Sequence, residues 1–263
     1  MSDLILSFVL GLIQGLTEFL PVSSSAHLLF PSLIFGSNDL GLAFDVAAHA
    51  GTLCAVIYFF KLELINMTKS FFTSSSLLKE ERKLALLLIL ATLPIVIFGF
   101  LASDLVQLNR ANISSIAWMN LIFAGLLLLA YKLNPNNKDL IQLTVLGALF
   151  IGLFQVFALL PGASRSGTAM TAALFIGLNL RDASKFSFML AIPTILGALV
   201  FLVLDLMSSE QIINVGSLLV GFITSMIFAF LTIKYFLAFV ERLGMYPFVF
   251  YRIGLGVILL MII

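Results

Sequence analysis

The chain has 263 residues, of which 61% are hydrophobic and only 10% charged, with a net charge of +1. Soluble domains are typically about 45–50% apolar and about 25% charged, so composition excludes a soluble globular enzyme, and 26 Phe with few charges is the opposite of a disordered chain. The near-neutral charge balance offers nothing to a nucleic acid, and a single cysteine, Cys54, excludes a disulfide framework and a Cys-based zinc site.

The chain therefore reads as an all-α polytopic membrane protein forming one domain over 1–263. The first apolar run, 4–20, carries no preceding Lys or Arg and no small-residue cleavage site, so it does not read as a cleaved signal peptide. It stops at Pro21 and a serine run, and a short apolar piece, 26–35, follows. Next come 41–60, 84–103 and 114–131, each long enough for a bilayer core of about 30 Å. A second broken region, 140–160, ends at Pro161-Gly162 and is followed by 168–180. Three more spans close the chain: 186–206, 212–233 and 246–263. The pieces 26–35 and 168–180 are too short to cross. The pattern predicts six transmembrane helices plus two re-entrant helix-loop-helix hairpins. Irregular backbone at that depth survives only where protein buries it or a wet cavity borders it, so both loops are candidate functional elements.

Positive charge sets the orientation. Lys61, Lys69, Lys79, Arg82 and Lys83 place the loop after 41–60 in the cytoplasm. Lys132 and Lys138, Arg181 and Lys185, and Lys234 and Arg242 in a 234–245 turn fall on the same side. The opposite side keeps Arg110, near Asp3, Asp39, Asp104 and Glu210. Arg165 and Arg252 stand apart, the first in a loop at depth and the second near a helix end.

The hairpins resemble each other. GLIQGLTEFLPVSSS from Gly11 and GLFQVFALLPGASRS from Gly152 share Gly-Leu-x-Gln, an apolar run, Leu-Pro and a serine loop. They enter from opposite faces, which predicts an inverted-topology repeat of 1–131 and 132–263. Such folds bind ligands near the midplane, where broken helices aim their N-termini at anions.

Arg165, in PGASRSG, offers a planar fork for phosphate oxygens. Ser164, Ser166 and Thr168 surround it with hydroxyls, and Gly162 and Gly167 allow close backbone approach. Glu18 reads either as a salt-bridge partner of Arg165 or as a metal ligand or acid/base group. His27 follows three serines and reads as an acid/base or nucleophilic group. Ser23, Ser24 and Ser25 are phosphate-binding hydroxyls, a nucleophile, or helix caps. Asp45 and His49 share a helix face and either line the site or pair with each other. Gln14 and Gln155 occupy equivalent repeat positions, where they would bridge the hairpins. Ser74, Ser75 and Ser76 read as solvated, and Cys54 and Trp118 as packing or lipid-facing. No Walker loop, HExxH or GxSxG occurs.

QGLTEFLPVSSSAH (14–27) with LLPGASRSG (159–167) resembles the undecaprenyl-diphosphatase family, and GLAFDVAAHAGTL (41–53) looks like its third helix. The family pattern is EGxTEFLPVSSTGH and PGxSRSGxT. Here Gln14 replaces the first Glu, Ser25-Ala26 replaces Thr-Gly, and Thr168 stands one place early. The resemblance implies hydrolysis of undecaprenyl diphosphate, aided by a divalent cation such as Mg²⁺ or Ca²⁺. It also implies active-site roles for Glu18, Ser24, His27, Ser164 and Arg165. The expected location is the inner (cytoplasmic) membrane, with a site opening to the periplasm. The partner is the polyprenyl diphosphate lipid, and a homodimer is compatible with the sequence. A polyprenyl-phosphate flippase using the same anion site is the alternative.

Overall fold

The computed structural model describes residues 3–28, 40–73, 78–102, 112–207 and 214–262. The described elements are helical: α1 (Asp3–Thr17), α2 (Ser24–Leu28), α3 (Leu42–Phe59), α4 (Lys61–Phe72), α5 (Lys79–Leu101), α6 (Ile113–Leu133), α7 (Val145–Gln155), α8 (Arg165–Phe175), α9 (Leu180–Met207), α10 (Val215–Leu243) and α11 (Tyr246–Ile262). Short 3₁₀ turns cover Leu140–Gln142 and Val156–Leu159. No strand occurs among the described residues, only an isolated bridge between Lys138 and Leu178. Arg110, Asp39, Asp104, Glu210, Ser74, Ser75, Ser76 and the return piece beyond Leu28 lie outside the described residues.

Five helices, α3, α5, α6, α9 and α10, are long and apolar enough to cross a bilayer, and α11 is a shorter apolar helix. Their outward faces are greasy. On α5 the exposed residues include Leu86, Ile89, Leu93 and Ile97, an outward apolar stripe at helical spacing that only lipid covers comfortably. Asparagine starts two spans: Asn112 accepts from Ser115 N at 3.0 Å and Asn214 from Ser217 N at 3.3 Å.

Two expected loops are helical instead. The region after α3 forms α4, buried through Met67 and Ser70. Arg82 ties it to α5, donating to the Ser70 carbonyl from Nε at 2.8 Å and to the Thr73 carbonyl at 2.9 Å. The expected 234–245 turn belongs largely to α10, which runs on to Leu243. Nothing between Lys234 and Leu243 breaks a helix, so the connection shrinks to Gly244, at φ +64°, and Met245. Arg181 and Lys185 likewise lie in the first turns of α9 rather than in a loop.

The packing is crossed. α1 and α3 lie against α10, whereas α7 and α9 lie against α5; α6 pairs with α11 and α8. Small residues allow the approach, as membrane helix contacts require. A Cβ on Gly51 would sit 2.3 Å from the Phe222 carbonyl of α10, and one on Gly152 would sit 2.4 Å from the Ala91 carbonyl of α5. Phe19, Phe186, Phe188, Met170 and Met189 form the buried centre, next to the two hairpin loops.

Candidate active site

Each broken helix ends with the same device. After α1, Glu18 N–H still bonds to the Gln14 carbonyl at 3.0 Å, the chain turns over 18–22, and α2 starts at Ser24. After α7 the 3₁₀ turn leads through Gly162, at φ +97°, to α8. The residue before each return helix is a serine in the left-handed region: Ser23 at φ 72° and Ser164 at φ 70°. Such backbone costs a non-glycine residue of order 1–3 kcal/mol, and it clusters at functional sites. Each serine also sits beside the hydroxyl two residues on, Ser23 with Ser25 at 3.1 Å and Ser164 with Ser166 at 3.2 Å. Ser164 caps α8, accepting from Gly167 N at 3.1 Å.

The loops are fastened to each other. Ser166 Oγ donates to the Leu20 carbonyl at 2.7 Å, and Gly162 N donates to Ser25 Oγ at 3.4 Å. Arg252 of α11, fully buried, donates to the Pro21 carbonyl at 3.4 Å on one side and to the Gly162 and Ala163 carbonyls at 3.0 and 2.9 Å on the other.

Glu18 and Arg165 meet at this junction. Arg165 Nε and Nη2 each lie 3.4 Å from Glu18 Oε1, and Nη1 donates to the Ser187 carbonyl at 3.2 Å. Nη2 also donates to the Glu18 carbonyl at 3.4 Å; a tight N⁺–H···O⁻ bond is about 2.7–2.9 Å, so the pair is loose although every guanidinium nitrogen has a protein acceptor. The guanidinium also lies 5.7 Å from the centre of the Phe19 ring, which Phe188 meets edge-on. Both side chains are nearly closed off, at 12% and 8% exposure. The other Glu18 oxygen accepts from Gln14 Nε2 at 2.9 Å and from Ser24 Oγ at 3.3 Å. Gln14, Glu18, Ser24 and Arg165 are thus one cluster.

His27 sits at the edge of this cluster, bonded through Nδ1 to the Ser23 carbonyl at 2.7 Å and through Nε2 to Tyr251 Oη at 2.6 Å.

Other expected site residues are used differently. Ser166, Gly167 and Thr168 form the first turn of α8. Ser166 and Thr168 are fully buried, and hydroxyls at this depth must be satisfied within the protein. Thr168 Oγ1 accordingly donates to the Arg165 carbonyl at 2.9 Å. The spaces at the glycines are filled by protein: a Cβ on Gly167 would lie 2.7 Å from Arg252 Nη1, and one on Gly162 would lie 2.3 Å from the Ile116 carbonyl. Gln14 and Gln155 do not bridge the hairpins. Gln14 reaches Glu18 one helical turn away, and Gln155 lies 3.4 Å from Thr194 Oγ1 of α9. His49 Nδ1 bonds to the Asp45 carbonyl at 2.8 Å, so the imidazole is tied to the backbone of α3 rather than to the neighbouring carboxylate.

Sequence reasoning missed three contributors: Arg252, Tyr251 and Ser187. Arg252 had a signal, since it is the lone charge in the apolar run 246–263. Ser187 contributes a carbonyl, which no sequence advertises.

Among the described residues no three His, Cys, Asp or Glu side chains cluster as a self-sufficient metal cage. A hard cation held by one carboxylate and by substrate phosphates needs no such cage. The oxygens present suit that mode, because Gln14 Oε1, on the amide that contacts Glu18, is buried without a hydrogen-bond partner.

Two comparisons bear on this geometry. The family model described as bacitracin resistance protein BacA matches residues 7–258. An undecaprenyl-diphosphatase from Alcanivorax borkumensis is 46% identical over 256 residues, covering 97% of each chain. The chain belongs to the BacA family of bacitracin resistance proteins.

Proposed function

We propose that this chain hydrolyses undecaprenyl diphosphate to undecaprenyl phosphate and inorganic phosphate, returning the lipid carrier to peptidoglycan synthesis and conferring bacitracin resistance. The observation that carries the reading is the convergence of Glu18, Ser24 and Arg165 where two broken helices meet. A carrier needs an arginine and backbone donors for an anion. It has no use for a carboxylate holding a serine hydroxyl.

The prenyl tail remains among the helices and the diphosphate enters between the loops. Arg165 exchanges its loose contacts for phosphate oxygens and stabilises charge as it builds on them. Ser24 O–H already points at Glu18, so this carboxylate takes the proton as the serine oxygen, or a water in its place, attacks phosphorus. Glu18 and Gln14 would hold the divalent cation, which supplies Lewis-acid charge to the phosphates when bound. His27 handles protons from the other side of the loop. The site belongs to the inner membrane and opens to the periplasm. The common serine geometry and the crossed packing support an inverted repeat of 1–131 and 132–263.

The test is phosphate release from a polyprenyl diphosphate by purified protein in detergent, with Mg²⁺, with Ca²⁺ and with chelator, beside Glu18→Gln. Metal-dependent release that Glu18→Gln abolishes is the expected result. Folded protein that binds the lipid and releases nothing would move the reading to a flippase.

A further inference from the structure

The imidazole of His27 is held at both nitrogens. Nδ1 faces the Ser23 carbonyl, which can only accept, so Nδ1 carries the proton. In the neutral ring Nε2 is then the bare nitrogen, and it accepts the Tyr251 hydroxyl at 2.6 Å. The two rings are nearly parallel, 4° apart, with centroids 5.5 Å from each other. The lone pair through which His27 must act thus points at a tyrosine on α11, not at Ser24 or Glu18.

α11 is fixed where this bond requires it. The next residue, Arg252, is pinned to both loops by three carbonyls. Leu255 and Leu259 lie in one apolar cluster with Ala26, the neighbour of His27. Arg252 is fully buried, whereas Tyr251 is 49% exposed. The phenol therefore joins the buried imidazole to the outer face of α11.

We propose that Tyr251 is the positioning residue of His27, and that protons exchanged by His27 pass through its hydroxyl. This rests on the hydrolase reading above. When His27 takes up a proton, the Tyr251 O–H bond breaks toward Nε2. The phenol oxygen then takes a proton from the inorganic phosphate released by hydrolysis, the attacking hydroxyl's own proton having gone to Glu18. The tyrosine is regenerated, and the positive charge ends on the imidazole.

Tyr251→Phe keeps the ring and removes only the hydroxyl. We expect kcat to fall about 100-fold, within the range for a lost acid–base contribution, with KM within about twofold and the melting temperature in detergent unchanged. In a His27→Gln background the same change should cost nothing further, because residues acting through one another are not additive. A full additional loss in that background would overturn the proposal. The chain has only two histidines, so ¹⁵N-histidine labelling, assigned with His49→Asn, reads the ring without turnover. The Nε2 resonance of His27 should move in Tyr251→Phe. An unmoved resonance overturns the proposal, whereas wild-type protein that releases no phosphate overturns the hydrolase reading and leaves the resonance to decide this one.

Discussion

Glu18 and Arg165 raise a choice that mutation can decide, because an ion pair that holds a fold together and one that performs chemistry respond differently to losing both partners. Each side chain is nearly closed to solvent. Removing one partner of a buried pair costs about 3–5 kcal/mol, mostly from stranding the other charge. The 3.4 Å contacts are long, and Glu18 keeps Gln14 and Ser24 when Arg165 is lost. The low end, about 3 kcal/mol, therefore applies to Arg165→Met and to Glu18→Gln. At roughly 2–4 °C per kcal/mol for a chain near this size, each melts roughly 6–12 °C early. The double variant strands neither charge and should recover to within about 1 kcal/mol of wild type. Turnover should not follow. Losing one donor to a developing oxyanion costs about 10²–10³-fold, and the double variant loses the base as well. Thermal unfolding in detergent and phosphate release, measured on all four proteins, separate the two quantities. Recovery of turnover along with stability in the double variant would refute a chemical role for the pair.

Gly162→Ala should prevent accumulation of folded protein, since φ is +97° and the new Cβ would lie 2.3 Å from the Ile116 carbonyl; Gly125→Ala, with nothing within 4 Å, is its neutral control, read by yield and monodispersity after extraction. Arg252→Lys keeps the charge but puts one nitrogen where two guanidinium nitrogens span the loop carbonyls; we expect a loss of about 1–3 kcal/mol in thermal stability with turnover reduced, and wild-type values for both would remove Arg252 from the site. Chelation should abolish phosphate release, with Mg²⁺ or Ca²⁺ restoring it, and Gln14→Glu should lower the cation concentration needed for half-maximal restoration because a second carboxylate joins the first; an unchanged requirement would place the cation away from Gln14.

The all-helical polytopic class was legible because about 20 apolar residues between charged stretches leave a chain few alternatives in a bilayer. The loops were legible as breaks: a proline and a serine run interrupt both 4–20 and 140–160. The roles of individual hydroxyls were not. Ser24 and Ser166 are alike in sequence, yet one donates to Glu18 and the other to the Leu20 carbonyl. Which one does so depends on backbone direction at Ser23 and Ser164, and left-handed serine has no compositional signature. α4 was hidden because five basic residues between 61 and 83 read as a solvated loop, whereas α4 carries two of them, Lys61 and Lys69, exposed on its outer face and the other three begin α5. Tyr251 escaped notice because its meaning lies in a residue 224 positions away.

The crossed packing bears on how the molecule is made. α1, at the very start of the chain, rests against α10, which begins at Val215. A ribosome emits α1 roughly two hundred residues before α10, the helix it packs against. Contacts of such sequence separation form slowly and late. A nascent chain stopped before α10 would contain Glu18, Ser24, His27 and Arg165 in full, yet lack Arg252 and its bonds to both loops. The contacts of α1 with α10, and of Arg252 with both loops, therefore wait for the last two helices.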